Sequence, residues 1–172
     1  MKKSIVSSSF LQTKNIAKVL AETLLESPGC SFTQFEDELL ERPFGQSSLL
    51  QPRKGARVLA LAGELGSGKT TFAQGFAKGL GIQERILSPT FILIRCHKLR
   101  TKNYKLFYHI DCYRLDNPAK ELLHLGFKKI IADPRNVVAV EWADRIQSIL
   151  PKDILWVRFA HMGKNRRRIT IR

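Results

Sequence analysis

The chain is poor in what marks secreted and membrane-spanning proteins. Its three cysteines, Cys30, Cys96 and Cys112, are an odd number without framework spacing, which points away from a disulfide scaffold and toward a reducing cytoplasm. No apolar run approaches the roughly 20 residues of a membrane helix; Val58–Ala62 is typical of the longest. The basic opening Met1-Lys2-Lys3 meets Ser7-Ser8-Ser9 before an apolar stretch develops, so no secretory leader is expected. Internal repeats are missing, and so is an N-K-x-D guanine-reading motif. Acids are scarce, with 15 Asp and Glu against 29 Lys and Arg and a formal net charge of +14. At 172 residues and 44% hydrophobic, residues 1–172 are expected to form a single domain with a real core.

The strongest signal that is present is Gly63-Glu-Leu-Gly-Ser-Gly-Lys-Thr70, a complete G-x-x-x-x-G-K-[ST] phosphate-binding loop. Glycines at 63, 66 and 68 let backbone N–H groups turn inward onto a polyphosphate. Leu65, Gly66, Ser67, Gly68, Lys69, Thr70 and Thr71 are the expected cradle. Lys69 would place a point charge on the β/γ oxygens, and the Thr70 hydroxyl can ligate Mg²⁺. The apolar run Arg57–Ala62 suits a buried strand before the loop. Phe72, Phe76 and Leu80 recur every four residues after it, as a helix requires, and Gly81 supplies the stop.

Further signals lie on either side. Leu11 to Leu25 reads as an amphipathic helix capped by Ser9. Residues 27–55, with Pro28-Gly29, Pro43, Gly45 and Pro52, read as a loop-rich insertion. Ser88-Pro-Thr-Phe91 precedes a strand-like Phe91–Arg95. Pro89 biases Ser88 to an extended conformation, so Thr90 falls at a loop tip, where it can sense a γ-phosphate or serve as a plain turn hydroxyl. The strand Lys105–Asp111 puts Phe107, His109 and Asp111 on one face and ends in Asp111, where α/β sheets gather ligand-binding groups. Asp116-Asn-Pro118 opens a helix running to Leu125, with Gly126 at its end. Val137–Val140 describes a strand buried on both faces and ending in Glu141, a candidate metal-side carboxylate. A C-terminal antiparallel hairpin, Ile154–Ala160 and Arg166–Arg172, closes the chain. Arg on its last strand is consistent with protection of a sheet edge.

Positive charge concentrates downstream of the loop. Residues 95–130 carry nine Lys and Arg against three acids, and residues 131–172 nine against four. The stretch 95–105 has five and no acid, and reads as an exposed hairpin, either a solvated surface or a contact for RNA. Cys96, His97, His109 and Cys112 are not read as a zinc site, because their spacing and facing do not converge. Trp142 and Trp156 read as packing residues.

Taken together, Gly63-Glu-Leu-Gly-Ser-Gly-Lys-Thr-Thr71, Ser88-Pro-Thr-Phe91, His109-Ile-Asp-Cys-Tyr-Arg-Leu115, Glu121-Leu-Leu-His-Leu-Gly126 and Val140-Glu-Trp142 resemble the TsaE (YjeE) family of bacterial tRNA threonylcarbamoyladenosine biosynthesis ATPases. The resemblance implies a phosphate-loop NTPase-like α/β fold, a mixed β-sheet flanked by helices. It also implies ATP and Mg²⁺ as cofactors, and a role with the TsaB–TsaD complex in installing threonylcarbamoyl on the adenosine beside the anticodon of tRNA. Thr70 and Glu141 would bind Mg²⁺, Asp111 would serve turnover, and Thr13 in the first helix would lie near the base. The catalytic set is then Lys69, Asp111 and Thr90. The alternative reading is a small-molecule kinase that shares the loop. The insertion at 27–55 and the basic stretch 95–105 exceed the family pattern.

Overall fold

The computed structural model describes residues 3–26, 54–89 and 91–172. Most of the expected insertion at 27–55, and Thr90, lie outside the described residues. In chain order the elements are β1 (Lys3–Ser7), α1 (Phe10–Glu26), β2 (Arg57–Gly63), α2 (Lys69–Gly79), β3 (Ile94–Lys98), β4 (Leu106–Asp111), α3 (Pro118–His124), α4 (Phe127–Ala132), β5 (Asn136–Glu141), a 3₁₀ segment (Ala143–Ile149), β6 (Leu155–His161) and β7 (Arg167–Ile171).

The strands form one mixed sheet in the order β1-β7-β6-β2-β5-β4-β3. β2 runs parallel to both β5 and β6, and β4 parallel to β5. Antiparallel β3 extends one end, and antiparallel β7 followed by β1 extends the other. The fold is the expected α/β architecture with a C-terminal hairpin.

Alternating side chains divide the core in two. Leu59, Leu61, Phe107, Val137, Val157, Phe159 and Ile169 face α1 and α2. Val58, Ala60, Ile110, Val138 and Val140 face α3, α4 and the 3₁₀ segment. The central strands β2 and β5 are thus buried on both faces, which is why they read as continuous apolar runs.

Helix α1 begins where Ser9 caps it, its Oγ accepting from Gln12 N at 3.0 Å. It packs against α2 at two notches. A Cβ at Gly75 would fall on the backbone of Lys14, and one at Gly79 would meet Lys18 O and the Ala21 methyl. Only glycine permits so close an approach.

The structure corrects or adds to the local reading at four points. The strand expected at Phe91–Arg95 begins at Ile94, because the Ile92 and Leu93 N–H groups both turn back onto Pro89 O and Leu93 takes φ 63°. The helix from Pro118 runs to His124 with Leu125 as its C-cap, as expected to within one residue, and Gly126 at φ 81° then opens a second one, α4, for which there was no expectation. Strand β1 had no local signal, since its register with β7 is set by residues about 165 positions away in the chain. That pairing also overturns the edge-protection reading of the last strand: β7 lies between β1 and β6.

Candidate nucleotide site

The loop between β2 and α2 sits at the seam of the sheet, where β2 ends and a helix begins. Gly63, Gly66 and Gly68 take φ of 147°, 75° and 106°. Side chains there would be strained, and at Gly63 a Cβ would stand 2.5 Å from Phe159 O. Phe72 N donates to Gly68 O at 2.9 Å, but the N–H groups of Lys69, Thr70 and Thr71 precede any carbonyl that could receive them within the helix. This is a ready-made anion site.

Lys69 is 4% exposed, and its ammonium donates to the loop's own carbonyls, Gly63 O at 2.7 Å and Glu64 O at 2.8 Å. Its Nζ lies 3.8 Å from the centroid of the Trp142 ring. Burial lowers the Lys69 pKa below its ordinary value, while Glu141, Asp111 and Asp144 pull it back up. A polyphosphate would act in the same direction as those acids.

The acids arrive on adjacent parallel strands. Asp111 at the end of β4 is in register with Glu141 at the end of β5. Thr70 Oγ1 donates to Glu141 Oε2 at 2.7 Å, and the other carboxylate oxygen meets His109 Nε2 at 2.8 Å, fully buried. Asp111 accepts from Ser88 Oγ at 2.8 Å and from Tyr113 N at 3.0 Å. Arg145 Nη1 and Nη2 donate to the carbonyls of Cys112, Tyr113 and Leu115 and so fasten the turn that follows Asp111.

A cavity of about 320 Å³ joins these groups, with Phe10 at one end and Ser88, Asp111, Glu141 and Trp142 at the other. Of the expected residues it brings together Leu65, Gly66, Gly68, Lys69, Thr70, Thr71, Asp111 and Glu141. Ser67 is buried beneath the loop, and its hydroxyl is not among the lining groups. Thr13 stands apart: it is fully buried, donates to Ser9 O, shares a 2.8 Å hydrogen bond with Ser7 Oγ, and accepts from Arg167 Nη1 at 2.8 Å. Phe10, one turn earlier, reaches the cavity in its place. Arg114 lies over the Phe91 ring at 4.3 Å, away from the loop's anion cradle.

The residues present fit a magnesium-bound nucleoside triphosphate: a glycine cradle that a Cβ would fill, a buried ammonium, and a hydroxyl–carboxylate pair of hard oxygen donors. Sequence reasoning missed four members of the site. Trp142 was read as packing, although its place directly after the strand-terminal Glu141 was a signal. Tyr113 stands 5.0 Å ring to ring from Trp142. His109 could have been paired with Glu141 from the strand register. Arg145 had no local signal at all.

Residues 36–169 match the family model described as threonylcarbamoyl adenosine biosynthesis protein TsaE. The tRNA threonylcarbamoyladenosine biosynthesis protein TsaE of Bacillus subtilis is 38% identical over 117 residues, covering 68% of this chain and 70% of that protein. Its counterpart in Borreliella burgdorferi is 36% identical over 120 residues, covering 69% and 84%. The crystal structure of Bacillus subtilis YdiB superposes with a TM-score of 0.66 at 29% identity, covering 99% of this chain and 84% of that one.

Proposed function

The chain belongs to the TsaE family, and from that premise we propose that it is a Mg²⁺-dependent ATP hydrolase supporting threonylcarbamoyladenosine formation in tRNA together with TsaB and TsaD. One observation carries the reading most: the 2.7 Å hydrogen bond from Thr70 to Glu141 at the rim of the glycine cradle, with Asp111 on the next strand. A hydroxyl and a carboxylate held together beside a polyphosphate site form the donor pair that phosphate-loop enzymes use for metal.

In this mechanism Leu65–Thr71 hold the polyphosphate with backbone N–H groups, and the Lys69 ammonium leaves its two carbonyls to meet the β and γ oxygens. Thr70 and Glu141 would hold Mg²⁺, which when bound neutralises charge on the leaving phosphate groups. His109 fixes the direction of Glu141. Asp111, held by Ser88 and the Tyr113 amide, would orient the attacking water, a role in which Thr90 would assist. Trp142 and Tyr113 wall the site. Arg167 packs against Gly68 of the cradle, but its guanidinium is engaged by Thr13 Oγ1 and the Ser9 and Asn165 carbonyls rather than free to meet a phosphate, so an isolated chain should turn over slowly. A trans-acting group from the partner complex can supply roughly 10³–10⁵ in rate.

The test is phosphate release from ATP by the purified chain with and without TsaB–TsaD, run beside reconstituted tRNA modification. Acceleration by the partner, and modification that requires both the chain and ATP, would support the reading. Equal turnover in both conditions, or transfer of phosphate to a metabolite instead of water, would overturn it.

A further inference from the structure

The far end of the sheet carries a surface that ATP hydrolysis does not use. β6 turns Val157 and Phe159 into the core and puts Trp156, Arg158 and Ala160 on the opposite side. β7 buries Ile169 and Ile171 and sends Arg168 to that same opposite side, and β1 adds Ser4 and Val6. The registers assemble these into one patch: Arg158 lies opposite Thr170, and Arg168 lies between Ala160 and Val6. Ser4, Val6, Arg158, Ala160 and Arg168 are all exposed, so this face of β6, β7 and β1 is open.

Its charge is one-sided. The two charged side chains on it, Arg158 and Arg168, are both basic, and the stretch 154–172 that carries them has no acid. Protection of a sheet edge does not account for this. Arg158 and Arg168 lie on interior strands, and the edge is β1. Two arginines on neighbouring strands, one pair position apart, stand on the order of 7–8 Å from each other. Beside them is a half-buried aromatic ring, with the Arg158 guanidinium 4.9 Å over Trp156. The hairpin tip adds exposed Lys164 and Arg166, and His161 at the end of β6, on the face of Val157 and Phe159, comes up to the phosphate loop, its Nε2 3.8 Å from the position of a Cβ on Gly66.

We propose that the open face of β6, β7 and β1 binds the sugar–phosphate backbone of RNA, with Arg158 and Arg168 on phosphates and Trp156 beside them. Guanidinium forks suit phosphate oxygens, and an adjacent ring offers a stacking surface to an unpaired base. The face holds little exposed apolar area beyond Val6, which is less than an interfacial membrane anchor needs. The choice of RNA among polyanions rests on the tRNA-directed reading above.

The test is fluorescence anisotropy of an unmodified tRNA transcript titrated with the full chain at several salt concentrations, comparing wild type, the double variant Arg158→Gln/Arg168→Gln, and a Lys98→Gln/Arg100→Gln/Lys102→Gln variant of the other basic hairpin. The first double variant should bind at least tenfold more weakly, and its plot of log affinity against log salt should be shallower by roughly 1.4–1.8, the loss of two phosphate contacts. The second variant should bind like wild type, and basal ATP turnover should not change in either. Equal affinity for the Arg158/Arg168 variant, an equal or greater loss in the other hairpin, or tighter retention on anionic phosphatidylserine vesicles than on RNA would each overturn the proposal. The two readings fail separately. Intact tRNA modification with no RNA binding removes the face alone, whereas salt-dependent binding without any requirement in modification leaves the face and removes the reading it rests on.

Discussion

The two halves of the sheet, divided at β2, have opposite chemistry. On one side β5 and β4 run parallel to β2, are covered on both faces, and end in Glu141 and Asp111. On the other side β6, β7 and β1 carry no carboxylate, form an antiparallel ribbon, and leave one face open. The glycine loop leaves β2 at the seam between them. A polyanion held there has carboxylates on one side and arginines on the other, so the field across the loop is built in by strand order before any ligand arrives. In the acid half burial makes each charge matter. The basic half presents two solvated arginines, Arg158 and Arg168, that can only attract, while its buried Arg167 is held by Thr13.

That contrast can be broken most severely at the seam. Lys69→Ala should lower ATP turnover by ~10²–10³-fold, as loss of a group acting on developing phosphoryl charge does, with nucleotide affinity measured alongside by calorimetry. A change of less than fivefold would mean that Lys69 stays on its carbonyls when nucleotide binds.

On the acid side, Glu141→Ala leaves Thr70 Oγ1 and His109 Nε2 without their acceptor. The Mg²⁺ concentration for half-maximal turnover should rise by roughly 10–100-fold. Two stranded polar groups should also cost about 1–3 kcal/mol of stability, read by urea unfolding. Wild-type turnover at limiting Mg²⁺ would remove Glu141 from the metal.

Beneath the seam, Gly75→Ala sets two effects against each other. Helix propensity favours alanine by ~1 kcal/mol, but the added methyl meets Lys14 backbone that cannot rotate aside, and overpacking of that kind costs ~1–3 kcal/mol. Net destabilisation is expected in thermal melts; a raised Tm would show that α1 yields easily.

The smallest effect concerns pH. Burial depresses the Lys69 pKa from 10.5, so the unfolded chain holds that proton more tightly than the folded one. Stability of the nucleotide-free protein relative to a Lys69→Met variant should therefore rise as pH climbs through the alkaline window below 10.5, where the folded side chain is already neutral. A relative stability that falls over that window would contradict the burial.

How much was legible beforehand differed between the same two halves. The loop, Asp111 and Glu141 could be read because each ends a strand whose apolar run is visible locally. Trp142 escaped because an indole after a strand looks like packing until Lys69 is seen lying on its ring. The open face escaped because it needs β1 paired to β7 across nearly the whole chain, and no local pattern encodes that partner. Without β1, the last strand looks like an edge and its arginines look protective.

The notches at Gly75 and Gly79 have a mechanical outcome. With backbone seated on backbone, α1 and α2 behave as one stiff bar whose far end lies directly behind the phosphate cradle. Any tilt that a triphosphate imposes on the start of α2 should be carried by leverage along α1 as far as Glu26.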